Sequence, residues 1–276
     1  MLGPERVLTA VAGWPVAHSR SPAMHNAAFK ALGLEGWLYT RLPLPPDCFA
    51  ETVRALPASG FRGINVTIPH KEAALAVADQ ASPAAAAIGA ANTLSFGDDG
   101  SIEADNTDAP GFLAALGQPL AGRSVLVLGA GGAARAVVWA AREAGAREVA
   151  VWNRTSERAR LLAADFGADA VETPRTADVI VNTTAVGLAG SLGDLPLAQV
   201  GDPELVADLV YAPTDPPVTA WARARGTPFV DGLEVLVRQG ALSFVRWTSE
   251  DPPLDVMREA VRTCGDHPAV RVRFRY

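Results

Sequence analysis

Cysteine is almost absent from this chain of 276 residues, and the two present, Cys48 and Cys264, have no partner motif and no histidine cluster nearby. A disulfide framework or a zinc site is therefore not expected, and no metal-ligand set accompanies the chain's four histidines. Long apolar runs are missing too. No stretch reaches membrane-spanning length, and the start, "MLGPERVLTAVAGWPVAHS", lacks a charged segment followed by a long apolar one and a cleavage site, so a cytoplasmic protein is expected. A basic field is also lacking: the net charge is -6 and the arginines are dispersed, which leaves no footprint for nucleic acid. Lysine is scarce as well. Of 24 lysines and arginines only Lys30 and Lys71 are lysines.

What is present is a rhythm. With 49% hydrophobic residues the chain can bury one or two cores. Strand-like and helix-like segments alternate as "RVLTAVAG", "SPAMHNAAFKAL", "GWLYTRLPL", "CFAETVRAL" and "FRGINVTI", which predicts βαβ units and a mainly parallel sheet. In "TLSFGDDGSIEADNTD", Asp98-Asp99-Gly100 separates two short strand-like runs and reads as a hairpin. A second alternating block begins near residue 123. The helical stretches "EVLVRQGALSFVRW" and "LDVMREAVRTC" follow it without a strand partner and are expected to pack back on the first unit. The tail "HPAVRVRFRY" alternates, which suits an added strand, a dimer contact or a frayed end.

Three stretches suggest chemistry. In "LGAGGAA" an apolar strand runs into Gly129, Gly131 and Ala134, a G-x-G-x-x-A pattern with a helix expected to begin near Arg135. Missing side chains let a pyrophosphate approach the backbone at a helix N-terminus, and the following strand "EVAVW" completes a dinucleotide-binding unit. That strand ends in Asn153-Arg154-Thr155, without the acid that binds a free ribose 2′-hydroxyl. Arg154 suits a 2′-phosphate, so NADP is favoured over NAD. In "AHSRSPAMHNAAF", Ser21 is expected to cap a helix with Pro22 at its first position; Ser19 and Ser21 beside free amides suit a small anion such as a carboxylate. In "GINVTIPHKEAAL", Lys71 reads as a solvated first-turn residue or as a group able to exchange a proton, which arginine is not.

Taken together, "HSRSPAMHN", "GINVTIPHK", "IGAANTL", "DNTDAPGF", "LGAGGAARA", "WNRT", "NTTAVGL", "DLVYAP" and "DGLEVLVRQGALSF" resemble the shikimate dehydrogenases, in that family's order and over nearly the whole chain. The resemblance implies an α/β fold: an open α/β substrate domain, residues 1–108, completed by helices in 233–276, and a Rossmann-type NADP-binding domain, residues 109–232. It implies NADPH-dependent reduction of 3-dehydroshikimate to shikimate, on the route to chorismate and the aromatic amino acids. Carried over by position, Lys71 and Asp108 look catalytic. Ser19 and Ser21 look like carboxylate ligands, and Thr67, Asn92, Tyr211 and Gln239 like further substrate contacts. Gly129, Ala130, Gly131, Gly132, Ala133, Asn153, Arg154, Thr155, Arg158, Leu209 and Gly232 match cofactor positions. No metal, nucleic acid or membrane partner is implied, and a homodimer is compatible. The competing readings are a quinate/shikimate dehydrogenase, a metabolite sensor without turnover, and a methylenetetrahydrofolate dehydrogenase. Arg154, the retained Lys71 and Asp108, and the paired serines argue against these in turn.

Overall fold

The computed structural model describes residues 6–188, 195–212 and 214–264. The tail 267–276, whose alternation suggested three roles, lies outside them. The chain forms two six-stranded sheets in sequence.

The first unit runs β1 (Val7–Gly13), α1 (Ser21–Ala31), β2 (Trp37–Pro43), α2 (Phe49–Ala55), β3 (Phe61–Val66), α3 (Lys71–Val77), β4 (Gln80–Ala81), α4 (Pro83–Ile88), β5 (Thr93–Phe96) and β6 (Ile102–Asp105). Its strand order is β2-β1-β3-β5-β6-β4. The sheet is mainly parallel, as expected, with β4 also parallel to β6 and β5 the exception. β1 pairs parallel with β2 and β3, but the Asp98-Asp99-Gly100 hairpin returns the chain, so β5 is antiparallel to both β3 and β6. The consequence is functional. The carboxyl ends of β1, β3 and β6 and the amino end of β5 meet at one edge, with Asn65 opposite Thr93 and Thr93 opposite Asp105.

After α5 (Asp108–Leu116) come β7 (Ser124–Leu128), α6 (Gly132–Glu143), β8 (Glu148–Trp152), α7 (Ser156–Phe166), β9 (Asp169–Ala170), β10 (Val179–Asn182), β11 (Leu205–Asp208), α8 (Pro217–Arg225) and β12 (Phe229–Val230). The order β12-β11-β10-β7-β8-β9 is parallel throughout. This is the doubly wound arrangement, whose direction of winding reverses between β7 and β10 and leaves a crevice at their carboxyl ends. Runs such as Val125-Leu126-Val127-Leu128 are buried because helices cover both sheet faces. α6 starts at Gly132, three residues before the expected Arg135; the glycines that read as turn already belong to the helix and its cap.

The last helices, α9 (Gly232–Thr248) and α10 (Leu254–Thr263), cross back to the first sheet. α9 packs on α5, β3 and β5, and α10 packs on α1. Asp231 caps α9 by accepting the Glu234 N–H at 2.9 Å, and Glu234 in turn holds Arg258 of α10 at 2.9 Å. Phe29, Tyr39, Phe244, Trp247 and Met257 form the resulting core. Close passage of α5 over α9 depends on Gly111, where a Cβ would stand 2.7 Å from backbone atoms of Gln239.

Candidate active site

The carboxyl edges of the two sheets face each other across a cleft with two lobes. The smaller, about 170 Å³, is lined by Ser19, Ser21, Thr67, Lys71, Asn92, Asp108, Tyr211 and Gln239, so all the residues assigned from sequence to catalysis or substrate are brought together there. The larger, about 1120 Å³, is lined by Ala130, Gly131, Gly132, Ala133, Asn153, Arg154 and Arg158. Leu209 and Gly232, expected at the cofactor, line the smaller lobe, and Gly129 and Thr155 line neither. Ile68, Lys71, Ala133, Thr183 and Thr184 border both lobes. Lys71 therefore stands where a ligand in one lobe would meet a ligand in the other.

Lys71 is the first residue of α3 and Asp108 the first of α5. Nζ of Lys71 donates to Oδ2 of Asp108 at 2.5 Å, with both side chains mostly buried. The other carboxylate oxygen, Oδ1, accepts from Asn92 Nδ2 at 2.9 Å. Oδ1 of Asn106 accepts the Asp108 and Ala109 N–H groups at 3.1 and 3.3 Å, turning the chain so that Asp108 enters a helix start, where a carboxylate is favoured. Opposite them, a Cβ at Gly132 would come within 3.0 Å of the Lys71 Cβ, so the glycine-rich helix start abuts the lysine stem.

Asn92 ties the site together. Its Nδ2 is shared among Thr107 Oγ1, Asp108 Oδ1 and Gln239 Oε1 at 2.9, 2.9 and 3.1 Å, and its Oδ1 accepts the Thr107 N–H at 2.7 Å. Below it, Asn65 donates to Ser243 Oγ at 2.8 Å and accepts from the Tyr39 hydroxyl at 2.8 Å. Asn65, Thr107 and Ser243 were not singled out in the sequence although each lies in a quoted motif. Their distinguishing signal is burial of a polar group, in strand β3 for Asn65, at the start of α5 for Thr107 and in α9 for Ser243, which demands partners.

The serine pair departs from expectation in one respect. α1 begins at Ser21 itself, its N-cap is Arg20, and no side chain caps it, so Ser21 is not the cap. Instead the Ser21 N–H donates to Ser19 Oγ at 3.3 Å, and the two hydroxyls lie 3.2 Å apart, both buried. From the other side of the cleft, the Tyr211 hydroxyl reaches the Ser19 side chain and Arg20 backbone, and burial raises its pKa despite these bonds. Tyr211 is placed by buried Asp208, which accepts from Asn182 Nδ2 at 2.9 Å and from the Val210 N–H at 3.1 Å; burial raises this carboxyl's pKa. Burial, then Arg41, lowers the pKa of His18 at the same wall.

The larger lobe suits a dinucleotide phosphate. Gly129 has φ +116°, a conformation open to glycine, at the exit of β7 beside the switch point. A Cβ at Gly131 would meet nothing within 4 Å, so the backbone at the α6 N-terminus is approachable. Arg154 and Arg158 are exposed on the lobe's wall. Trp152, one residue into the strand end, and Asn153 complete a surface on which an adenine could rest.

Known proteins match along the chain. Family models described as shikimate dehydrogenase substrate binding domain, shikimate / quinate 5-dehydrogenase and shikimate 5'-dehydrogenase C-terminal domain match residues 11–94, 113–186 and 232–262. A shikimate dehydrogenase (NADP(+)) of Paracoccus denitrificans is 46% identical, the match covering 90% of this chain and 93% of that one. One from Methanothermobacter thermautotrophicus is 43% identical, covering 92% and 95%. A Thermus thermophilus shikimate 5-dehydrogenase, solved in complex with NADP(H) and shikimate, superposes with a TM-score of 0.85 at 46% identity, covering 93% of this chain and 98% of that one.

Proposed function

The chain belongs to the shikimate dehydrogenase family, and on that premise we propose that Lys71 and Asp108 act as a unit on the reacting oxygen of the substrate. The protein is an NADP-dependent oxidoreductase that interconverts 3-dehydroshikimate and shikimate, a step of the shikimate pathway toward aromatic amino acids. NADPH, when bound, supplies the hydride, and the α6 N-terminus with Arg154 and Arg158 would hold its pyrophosphate and 2′-phosphate. Ser19, Ser21 and Tyr211 bind the ring carboxylate; Asn92, Gln239 and Thr67 orient the hydroxyls. Lys71 lies against the ketone oxygen, stabilises the charge that develops there, and gives it a proton. Asp108 holds the ammonium in place and shares ring-hydroxyl binding with Asn92. In this division residues 1–108 with 233–276 bind substrate, and 109–232 bind cofactor. A homodimer in the cytoplasm is part of the same reading, checked by sedimentation and cell fractionation.

The observation that carries this reading is the position of Lys71: it borders both lobes and is paired with a carboxylate whose second oxygen is already taken. The experiment follows the absorbance of the reduced nicotinamide, first as it forms from shikimate or quinate with NADP or NAD and as it is consumed by 3-dehydroshikimate with NADPH or NADH. Lys71→Ala should lower turnover by ~10²–10⁴-fold while shikimate binding falls much less. Lys71→Arg keeps the charge and withholds the proton. It should be almost as slow; turnover near wild type would make Lys71 a positioning charge only. Asp108→Asn and the double variant should be non-additive, as for groups acting together.

A further inference from the structure

Arg41 stands out among the arginines of this chain by where its bonds go. Many arginines pair with acids, as Arg135 does with Asp165, Arg223 with Asp215 and Arg258 with Glu234. Arg41 has no carboxylate partner among the described residues. Instead Nε and Nη2 both donate to one backbone oxygen, that of Ser19, at 3.1 and 2.6 Å. The strand that carries it, β2, lies at the edge of the first sheet, and Arg41 is in register with Val11, which lines the smaller lobe.

Two consequences follow for the serine pair. Both backbone groups of Ser19 are held, its N–H on Val16 O at 3.1 Å and its carbonyl in the guanidinium fork, which anchors the backbone that carries its hydroxyl. The guanidinium also places a positive charge behind that wall, felt by His18 and Tyr211 and without a carboxylate partner among the described residues. Among the described residues Asp108 is the one carboxylate lining the smaller lobe, and it is matched by Lys71. Arg20 donates from Nη1 to Val261 O of α10 at 2.9 Å, and its charge, like that of Arg41, also acts on Tyr211 at this wall.

We propose that Arg41 is a positioning and specificity residue for the anionic end of the substrate: it anchors Ser19 and biases the serine pair toward a carboxylate over neutral derivatives. The proposal rests on the reading of Ser19 and Ser21 as carboxylate ligands. Its test compares wild type, Arg41→Gln and Arg41→Lys, with dissociation constants for shikimate and shikimate methyl ester by calorimetry, and with kcat and KM for both substrates. The Gln variant should weaken shikimate binding by ~3–30-fold, from loss of a screened charge alone to loss with misplacement of the serine. Ester binding should change less, so the preference for acid over ester narrows, while kcat and the KM for NADP stay within about twofold, as for a residue acting on uniform binding. The Lys variant should recover part of that preference, since it restores charge without the fork. An acid-to-ester preference unchanged in the Gln variant would overturn the proposal, as would equal weakening of shikimate and NADP. Replacing Ser19 and Ser21 with Ala separates the two claims: if that leaves shikimate affinity intact, the serine reading fails; if it abolishes affinity while Arg41→Gln does not alter it, only the role of Arg41 fails.

Discussion

His25 is fully buried on α1, and neither ring nitrogen meets a donor or acceptor among the described residues. The ring serves as an aromatic plate: it stacks on Tyr39 with centroids 4.3 Å apart and planes 6° from parallel, and it touches Phe29, Phe244 and Trp247. Tyr39 in turn holds Asn65 beneath the site. Burial lowers the His25 pKa from 6.5 to about 3. Between those values the unfolded chain binds a proton that the fold excludes, so stability falls as pH drops from 6.5 toward 3. Phenylalanine would keep the plate and remove the titration. His25→Phe should therefore gain about 2 kcal/mol relative to wild type on moving from neutral pH to about pH 5. Urea unfolding at the two pH values measures it, and parallel pH slopes for the two proteins would refute it. Some slope remains in the variant, because burial lowers His18 and His70 as well.

Between elements, the contact that decides the site is the crossing of α5 and α9, since α5 starts with Asp108 and α9 carries Gln239. Alanine at Gly111 would gain about 1 kcal/mol of helix propensity. Its Cβ, however, would meet the backbone of Gln239 at 2.7 Å, which no rotamer change relieves. The clash should win. Gly111→Ala is expected to lower stability by a net ~1–2 kcal/mol and to raise the KM for shikimate by displacing Gln239 from Asn92, read by thermal melting and initial rates; an unchanged or higher Tm would contradict it. The crossing is also where sequence reading ran out. Strand, glycine turn and helix at 124–143 were legible because each local signal agreed, and so were Lys71, Asp108 and the serine pair, which stand in recognisable motifs. The start of α6 was misplaced, since glycines at a helix N-terminus look like turn. The capping role of Ser21 was wrong because its neighbour Ser19 takes the N–H instead. Asn65 could not be singled out: its partner Ser243 lies 178 residues away, and no local pattern reports that distance.

At the scale of the molecule, two sheets of different topology offer their carboxyl edges to one cleft, the first contributing most of the polar side chains of the smaller lobe and the second the glycine-rich turn and arginines of the larger, with Tyr211 reaching across to the smaller and Lys71 bordering both. Residues confined to one lobe should then act on one ligand only. Arg154, on the wall of the larger lobe, should govern the 2′-phosphate: Arg154→Ala is expected to raise the KM for NADP by about tenfold or more, the range for losing a charge-assisted bond, with little change in that for NAD or shikimate. The Ser19→Ala, Ser21→Ala variant should do the reverse, weakening shikimate and sparing NADP. Because the two sites share no partner, their free-energy losses should add in the combined variant to within about 0.5 kcal/mol. Lys71 borders both lobes, so its replacement is the one among these that should lower turnover with both ligands saturating. Initial rates over a grid of both concentrations decide the matter. Strong coupling between Arg154 and the serines would mean that the lobes close as a single unit around either ligand, and the division of labour between the two sheets would have to be abandoned.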